Sequence, residues 1–221
     1  MRTGPGAGAW PLALGFVVLA GLWLGPLPAM SRTAFSAHML LHLGVVVLAA
    51  PLLAIGLVRA GVCLDRVGGL RTWMVVVFAM EMVVVWGWHA PALHEAAARH
   101  VGVFVLQQFS FLVVGLGVWL LGFATLQRGA MATAILGFAL TSTHMTMLGL
   151  LLTLAPRLIY PAELCLGAFG FEQLEDQRFG GVLMAAWGGL AYMAGGVVLG
   201  CRLLWGADVE EVVPGEQRDW R

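Results

Sequence analysis

Residues 35–58 read FSAHMLLHLGVVVLAAPLLAIGLV, twenty-four positions whose only ionisable side chains are His38 and His42. A helix rises about 1.5 Å per residue, so this run is long enough to cross a hydrocarbon core about 30 Å thick. In lipid every backbone N–H and C=O must be paired within the chain, which a helix does locally. The run is therefore expected to be a transmembrane helix with two imidazoles on one face, since positions i and i+4 lie one turn apart.

Five further stretches follow the same pattern, at 10–30, 71–90, 101–124, 130–155 and 180–205. The 221 residues are 60% hydrophobic and 11% charged, far from the quarter charged that a soluble domain carries. The expected fold class is all-α, an integral membrane bundle of about six transmembrane helices forming one domain over 1–221. The tail after 205 holds Asp208, Glu210, Glu211 and Glu216 and offers no seventh span. Pro26 and Pro28 interrupt the end of the first run, for which a signal peptide is the alternative reading. Cys63, Cys165 and Cys201 lie far apart, without the close pair that a disulfide framework or a thiolate clip needs.

The formal net charge is zero, and all twelve basic residues are Arg, spread along the chain. Nothing suggests a nucleic-acid surface; membrane lipid is the expected surrounding. With six spans, Arg2, Arg59, Arg66, Arg71, Arg128, Arg202, Arg218 and Arg221 share a side, against Arg32, Arg99, Arg157 and Arg178. That bias places both termini in the cytoplasm and 31–34, 91–100 and 156–179 outside. Trp10, Trp73, Trp86, Trp88 and Trp205 near span ends fit an interfacial belt.

On this topology every His falls in the outer half or the outer loops. His42 is expected roughly 10 Å below the outer boundary, and His144 roughly 16 Å below it. The fifth span carries Thr141-Ser142-Thr143-His144-Met145-Thr146-Met147, an imidazole and two thioethers within a turn. His and Met together suit Cu(I), which takes imidazole and soft sulfur donors without a charged cage. We therefore expect His38, His42, His144, Met145 and Met147 to face one metal pocket. The plain alternative is His residues bonding across the bundle and Met filling the core. His89 beside Trp88 reads as an interfacial helix end, and His94 and His100 as loop residues. Glu81 falls mid-span, where a lone charge is expensive, so it is expected to be neutral or paired, and it is a candidate for moving protons or positioning a ligand. Asp176, just ahead of the sixth span, favours the positive end of that helix.

Several strings carry a family likeness: His38-Met39-x-x-His42 running to Ala50-Pro51-Leu52-Leu53, the Trp88-His89-x-Pro91 corner, Leu158-Ile159-Tyr160-Pro161, and Glu175-Asp176-Gln177-x-x-Gly180-Gly181-x-x-Met184. In order and spacing the chain resembles the CtaG-type cytochrome c oxidase assembly factors from about residue 30 to 205. The resemblance implies a multi-span protein of the bacterial inner membrane tied to maturation of haem–copper oxidases. Its family positions here are His38, His42, Trp88, His89, Asp176, Gln177 and Met184. Two departures stand out. Gln107-Gln108-Phe109 replaces a His-containing string in the fourth span, leaving Gln108 where a ligand is expected, and Ala185 replaces a Trp.

The expected function is delivery of Cu(I) from the periplasmic side to the catalytic subunit of a haem–copper oxidase, without turnover of a substrate. A periplasmic copper donor and the oxidase subunit are the implied partners. The rival readings are a b-type haem electron carrier using His42 and His144, a copper transporter, and a structural membrane chaperone without metal. The largely apolar inner half argues against a transport path, and no nucleophile–base pair or phosphate loop suggests an enzyme.

Overall fold

The computed structural model describes residues 8–211, with side chains through Trp205. The fold is all-α, with no strand among the described residues. Helix α1 spans Ala9–Leu24 and a single turn, α2, spans Leu27–Met30. Helix α3 runs Phe35–Arg59, α4 Leu70–His89, α5 Pro91–Arg99, α6 Val101–Phe123 and α7 Arg128–Thr153. The last helix, α8, starts at Gln173 and continues to Glu211. Helices α3, α4, α6, α7 and the Gln173–Trp205 part of α8 are long and apolar enough to cross a membrane.

Three elements depart from the sequence expectation. Helix α1 has 16 residues, about 24 Å of rise, and stops at Leu24 where the sequence suggested 30. Gly25 is extended and Pro26 supplies no N–H, so the helix cannot propagate and the chain restarts as α2. The expected outer loop 91–100 contains α5, with Pro91 at its first position, where a missing N–H costs nothing. The sixth span begins seven residues earlier than Gly180. Glu172 caps the Glu175 backbone N–H while the Glu175 side chain caps Glu172, and this reciprocal box fixes the start of α8 at Gln173.

Helix α3 contains a wide π turn over Gly44–Ala49, and Pro51 explains it. Within the turn the Ala50 N–H reaches back to Val45 O, five residues away. Val46 O would next await the N–H of residue 51, which proline lacks. The indole of Trp119 on α6 fills the gap, donating from Nε1 to Val46 O at 2.8 Å. A second π turn, Met184–Gly188, interrupts α8. Hydroxyls of α7 serve the carbonyls around it: Ser142 Oγ donates to Gly189 O at 2.7 Å and Thr146 Oγ1 to Ala185 O at 3.3 Å. The Thr/Ser string of the fifth span thus compensates backbone groups that lipid would leave unpaired.

Both described ends of the chain lie at one end of the bundle. Gly8 abuts Gly56 and Ala60, and Arg202 donates to Phe123 O. Asp65 ties the loops together there, accepting from Thr125 Oγ1 at 2.7 Å and Leu126 N at 2.9 Å. At the opposite end, Arg32 Nε donates to Ala98 O and Leu166 N to Thr33 O. Phe111, Phe138, Trp119, Tyr192, Met74 and Met145 fill the interior between these ends. Val75, Val83, Phe109 and Leu190 lie exposed on the flanks, as lipid contact requires.

Candidate metal centre

Four imidazoles gather at the end of the bundle opposite the described termini. His38 and His42 stack up one face of α3, with ring centroids 5.7 Å apart. His42 meets His89 at 5.2 Å and His38 meets His94 at 4.7 Å, both edge-on. All four are buried, none more than 6% exposed. The chain path brings them together. Ala90 is extended, as a residue before proline prefers, so α4 ends at His89 and Pro91 starts α5, which turns His94 back over α3. Phe111 of α6 stacks on His42 at 4.8 Å and Tyr160 packs at a tilt against His94 at 4.3 Å, walling the cluster with aromatic rings.

The hydrogen bonds leave lone pairs available. His89 Nδ1 lies 2.6 Å from Val85 O, and a carbonyl only accepts, so Nδ1 carries the proton and Nε2 is bare. His89 Nε2, His42 Nδ1 and His94 Nδ1 are all buried without a hydrogen-bond partner. His42 Nε2 is 3.3 Å from the thioether sulfur of Met39, a residue with no measurable exposure. Burial first, and then the neighbouring His89, lowers the His94 pKa to about 3, so this ring is neutral at ordinary pH. Neutral nitrogens beside a soft sulfur are the donor set that Cu(I) takes. The rings meet by faces and edges, and no trio of His, Cys, Asp or Glu donors is already closed around one point among the described residues.

The family strings build the roof over this cluster. Asp176 on α8 accepts from the Phe35 N–H at 2.7 Å, the Ser36 N–H at 3.2 Å and the Ser36 hydroxyl, capping the N-terminus of α3 from another helix. The sequence assigned this carboxylate to the helix it precedes; it lies within the first turn of α8 and serves α3 instead. Gln177 accepts from Ile159 N at 2.8 Å, and its amide donates to Arg157 O at 3.5 Å, pinning the 157–160 strap. From that strap Tyr160 donates to His89 O at 3.0 Å. Trp88 Nε1 donates to Ser110 Oγ at 2.8 Å, joining α4 to α6. A Cβ on Gly180 would stand 2.5 Å from the Phe35 ring and 3.0 Å from Met39, so only glycine lets α8 lie this close to the cluster. Met184 is fully buried in the π turn, and Gln108 is buried with its amide 3.4 Å from Gln107 Oε1.

His144, Met145 and Met147 are placed differently from the expectation. His144 Nε2 donates to Glu81 Oε2 at 2.9 Å, and Thr141 approaches the same oxygen at 3.4 Å. No ring contact joins His144 to His38 or His42 among the described residues. Met145 packs into the core near Gly188, and Met147 is 48% exposed on the flank. A helix turns about 100° per residue, so Met145 and Met147 lie roughly 160° apart around α7 and cannot both face one point with His144. Glu81 is paired, as its depth demanded.

Sequence reasoning missed His94 and Met39 as cluster members and reached His89 only through the family resemblance. Spacing alone reads His94 and His89 as loop and helix end, because the buried turn at Ala90–Pro91 is a tertiary feature. Met39 had a visible signal, lying three residues before His42 on the same helical face.

A multi-span helical membrane protein with buried, roofed imidazoles is the class that this fold and site define. The chain belongs to the cytochrome c oxidase caa3 assembly factor (Caa3_CtaG) family, whose description matches residues 4–204. No curated protein and no solved structure matches it.

Proposed function

We propose that this protein acts in the bacterial inner membrane to mature a haem–copper cytochrome c oxidase, holding Cu(I) as cargo and passing it to the catalytic subunit. Both termini lie in the cytoplasm on this reading, and the imidazole cluster faces the periplasm, where a copper donor docks. The observation that carries it is the convergence of His38, His42, His89 and His94 beside Met39, with three ring nitrogens unpaired. An unpaired polar atom in a bundle core costs free energy, and an ion that takes up the lone pairs offsets that cost.

His94, on the short helix α5 nearest the aqueous end, receives the ion. His42, His89 and the Met39 sulfur retain it, and His38 links the two positions. The aromatic walls and the strap held by Gln177 and Tyr160 exclude water, which slows oxidation and loss of the ion. The ligands are neutral, so bound Cu(I) keeps a single positive charge in the low-dielectric interior, a state that favours release to a better donor set over permanent storage. A b-type haem between His42 and His144 is disfavoured, because His144 is engaged by Glu81 and the His42 ring packs directly on His89.

The test replaces His38 and His42 together with Ala. The variant is expected to lose copper in metal analysis of the purified protein and to leave cells deficient in assembled oxidase. Normal copper stoichiometry with normal oxidase rejects the proposal. Lost copper with normal oxidase separates metal binding from assembly and rejects delivery. Copper-free wild-type protein with an oxidase defect in the variant favours a metal-free chaperone.

A further inference from the structure

The Glu81–His144 pair plays no part in the imidazole cluster, yet an ionisable pair deep in a bundle is expensive to maintain. Glu81 has no exposure and His144 is 7% exposed. His144 Nε2 hydrogen-bonds the Glu81 carboxylate, and Nδ1, on the other side of the ring, is buried without a partner. His144 forms part of the wall of a groove of about 220 Å³ between α4 and α7. Val75, Phe78, Ala79, Met82 and Leu136 line the rest, and Val75, Ala79, Met82 and Leu136 are exposed on the lipid flank. The groove thus leads from lipid to a carboxylate-oriented imidazole, whose buried Nδ1 a hydroxyl can reach only when the ring tips toward the groove.

We propose that this groove binds a lipid-soluble hydroxyaromatic molecule of the quinol class, its hydroxyl hydrogen-bonding to His144 Nδ1 and its tail remaining in the bilayer. Three features select this chemistry. The lining is apolar apart from Thr141, Thr133 and His144, so the head must be largely apolar too. Glu81 stands directly behind His144 and repels an ionised fatty-acid or phosphate head, whereas a phenolic hydroxyl is neutral. Phe78 and Met82 offer the ring-edge and thioether contacts that an aromatic head takes well. The inference is independent of the copper reading, because neither Glu81 nor His144 contacts the imidazole cluster among the described residues.

The experiment is equilibrium dialysis of the detergent-purified chain against 4-hexyl-1-naphthol, corrected with empty micelles. Hexylnaphthalene, which lacks the hydroxyl, and palmitate serve as comparison probes. One saturable site for the naphthol is expected, with affinity reduced roughly tenfold for hexylnaphthalene. His144→Phe is expected to weaken naphthol binding by a similar factor, and Glu81→Gln by less, since it leaves an acceptor for the His144 proton. Ala79→Trp blocks the groove from the lipid side without touching the polar pair, so it reads occupancy even if His144→Phe fails to fold. Absence of a saturable site, equal affinity for hexylnaphthalene, tighter binding of palmitate, or full naphthol affinity in Ala79→Trp each overturns the proposal.

Discussion

Asp176 reaches across from the first turn of α8 to the first turn of α3, where its Oδ2 accepts from the Phe35 N–H at 2.7 Å. The two residues are 141 positions apart, and the contact fixes the start of the helix that carries His38 and His42. It also sets the height of α8 against that helix, because Gly180 rests on Phe35 one turn below. The carboxylate supports the imidazole cluster without touching it.

Asp176→Ala is accordingly expected to destabilise the fold by about 1–3 kcal/mol, the range for losing a cap and leaving buried donors unpaired. Asp176→Asn keeps an acceptor oxygen and should cost less. Thermal unfolding of the purified variants in detergent measures both. Equal losses for Ala and Asn would show that the negative charge, not the acceptor geometry, is what α3 needs.

Trp119→Phe removes the indole donor to Val46 O at the α3 π turn while keeping an aromatic ring in the core. A loss of about 1–3 kcal/mol is expected, because the carbonyl has no N–H at Pro51 to fall back on. Adding Pro51→Ala supplies that N–H and should recover part of the loss. A double variant no more stable than Trp119→Phe would contradict this explanation of the π turn.

Tyr160→Phe keeps the ring contact with His94 but deletes the donor to His89 O at 3.0 Å. Gln177 then supplies the remaining side-chain hydrogen bonds described for the strap, so faster hydrogen exchange is expected over residues 157–161, with a stability change of only about 1 kcal/mol. Unchanged exchange would mean that the strap is held by packing.

The neutral His94 gives a pH dependence whose sign is fixed. Its pKa is about 3 in the folded protein and 6.5 in the reference state, with burial the main cause and His89 the second. Below 6.5 the unfolded chain takes up a proton that the folded chain does not. The contribution of this group to stability is therefore complete above 6.5 and is lost progressively as the pH falls toward 3. Thermal midpoints measured across that window should decline with acidification, and less steeply in His94→Gln. An identical slope in the variant would remove His94 as the source.

Much of the fold was legible because lipid imposes simple rules. Long apolar runs became helices, and the boundaries at Phe35, Leu70 and Val101 fell within a residue of expectation. Helix α1 was overestimated because hydropathy continues through Leu27 and Met30, whereas backbone pairing fails at Pro26. The cluster was half legible. The i, i+4 spacing of His38 and His42 is a local signal, and it survives intact. The partners from α4 and α5 depend on the reversal at Ala90–Pro91, which no periodicity reveals. The fifth-span string misled because nearness in sequence was taken for a shared face; Met145 and Met147 lie roughly 160° apart around the helix, one in the core and one on the flank, and His144 is engaged by Glu81.

Cu(I) titration of the purified protein, with His42→Ala/His89→Ala set against His144→Ala, is the most direct test of the proposed metal centre. Tight copper binding in the wild type, lost in the His42/His89 variant and kept in the His144 variant, is the expected result. Binding that persists without His42 and His89, or that disappears with His144 alone, would contradict it.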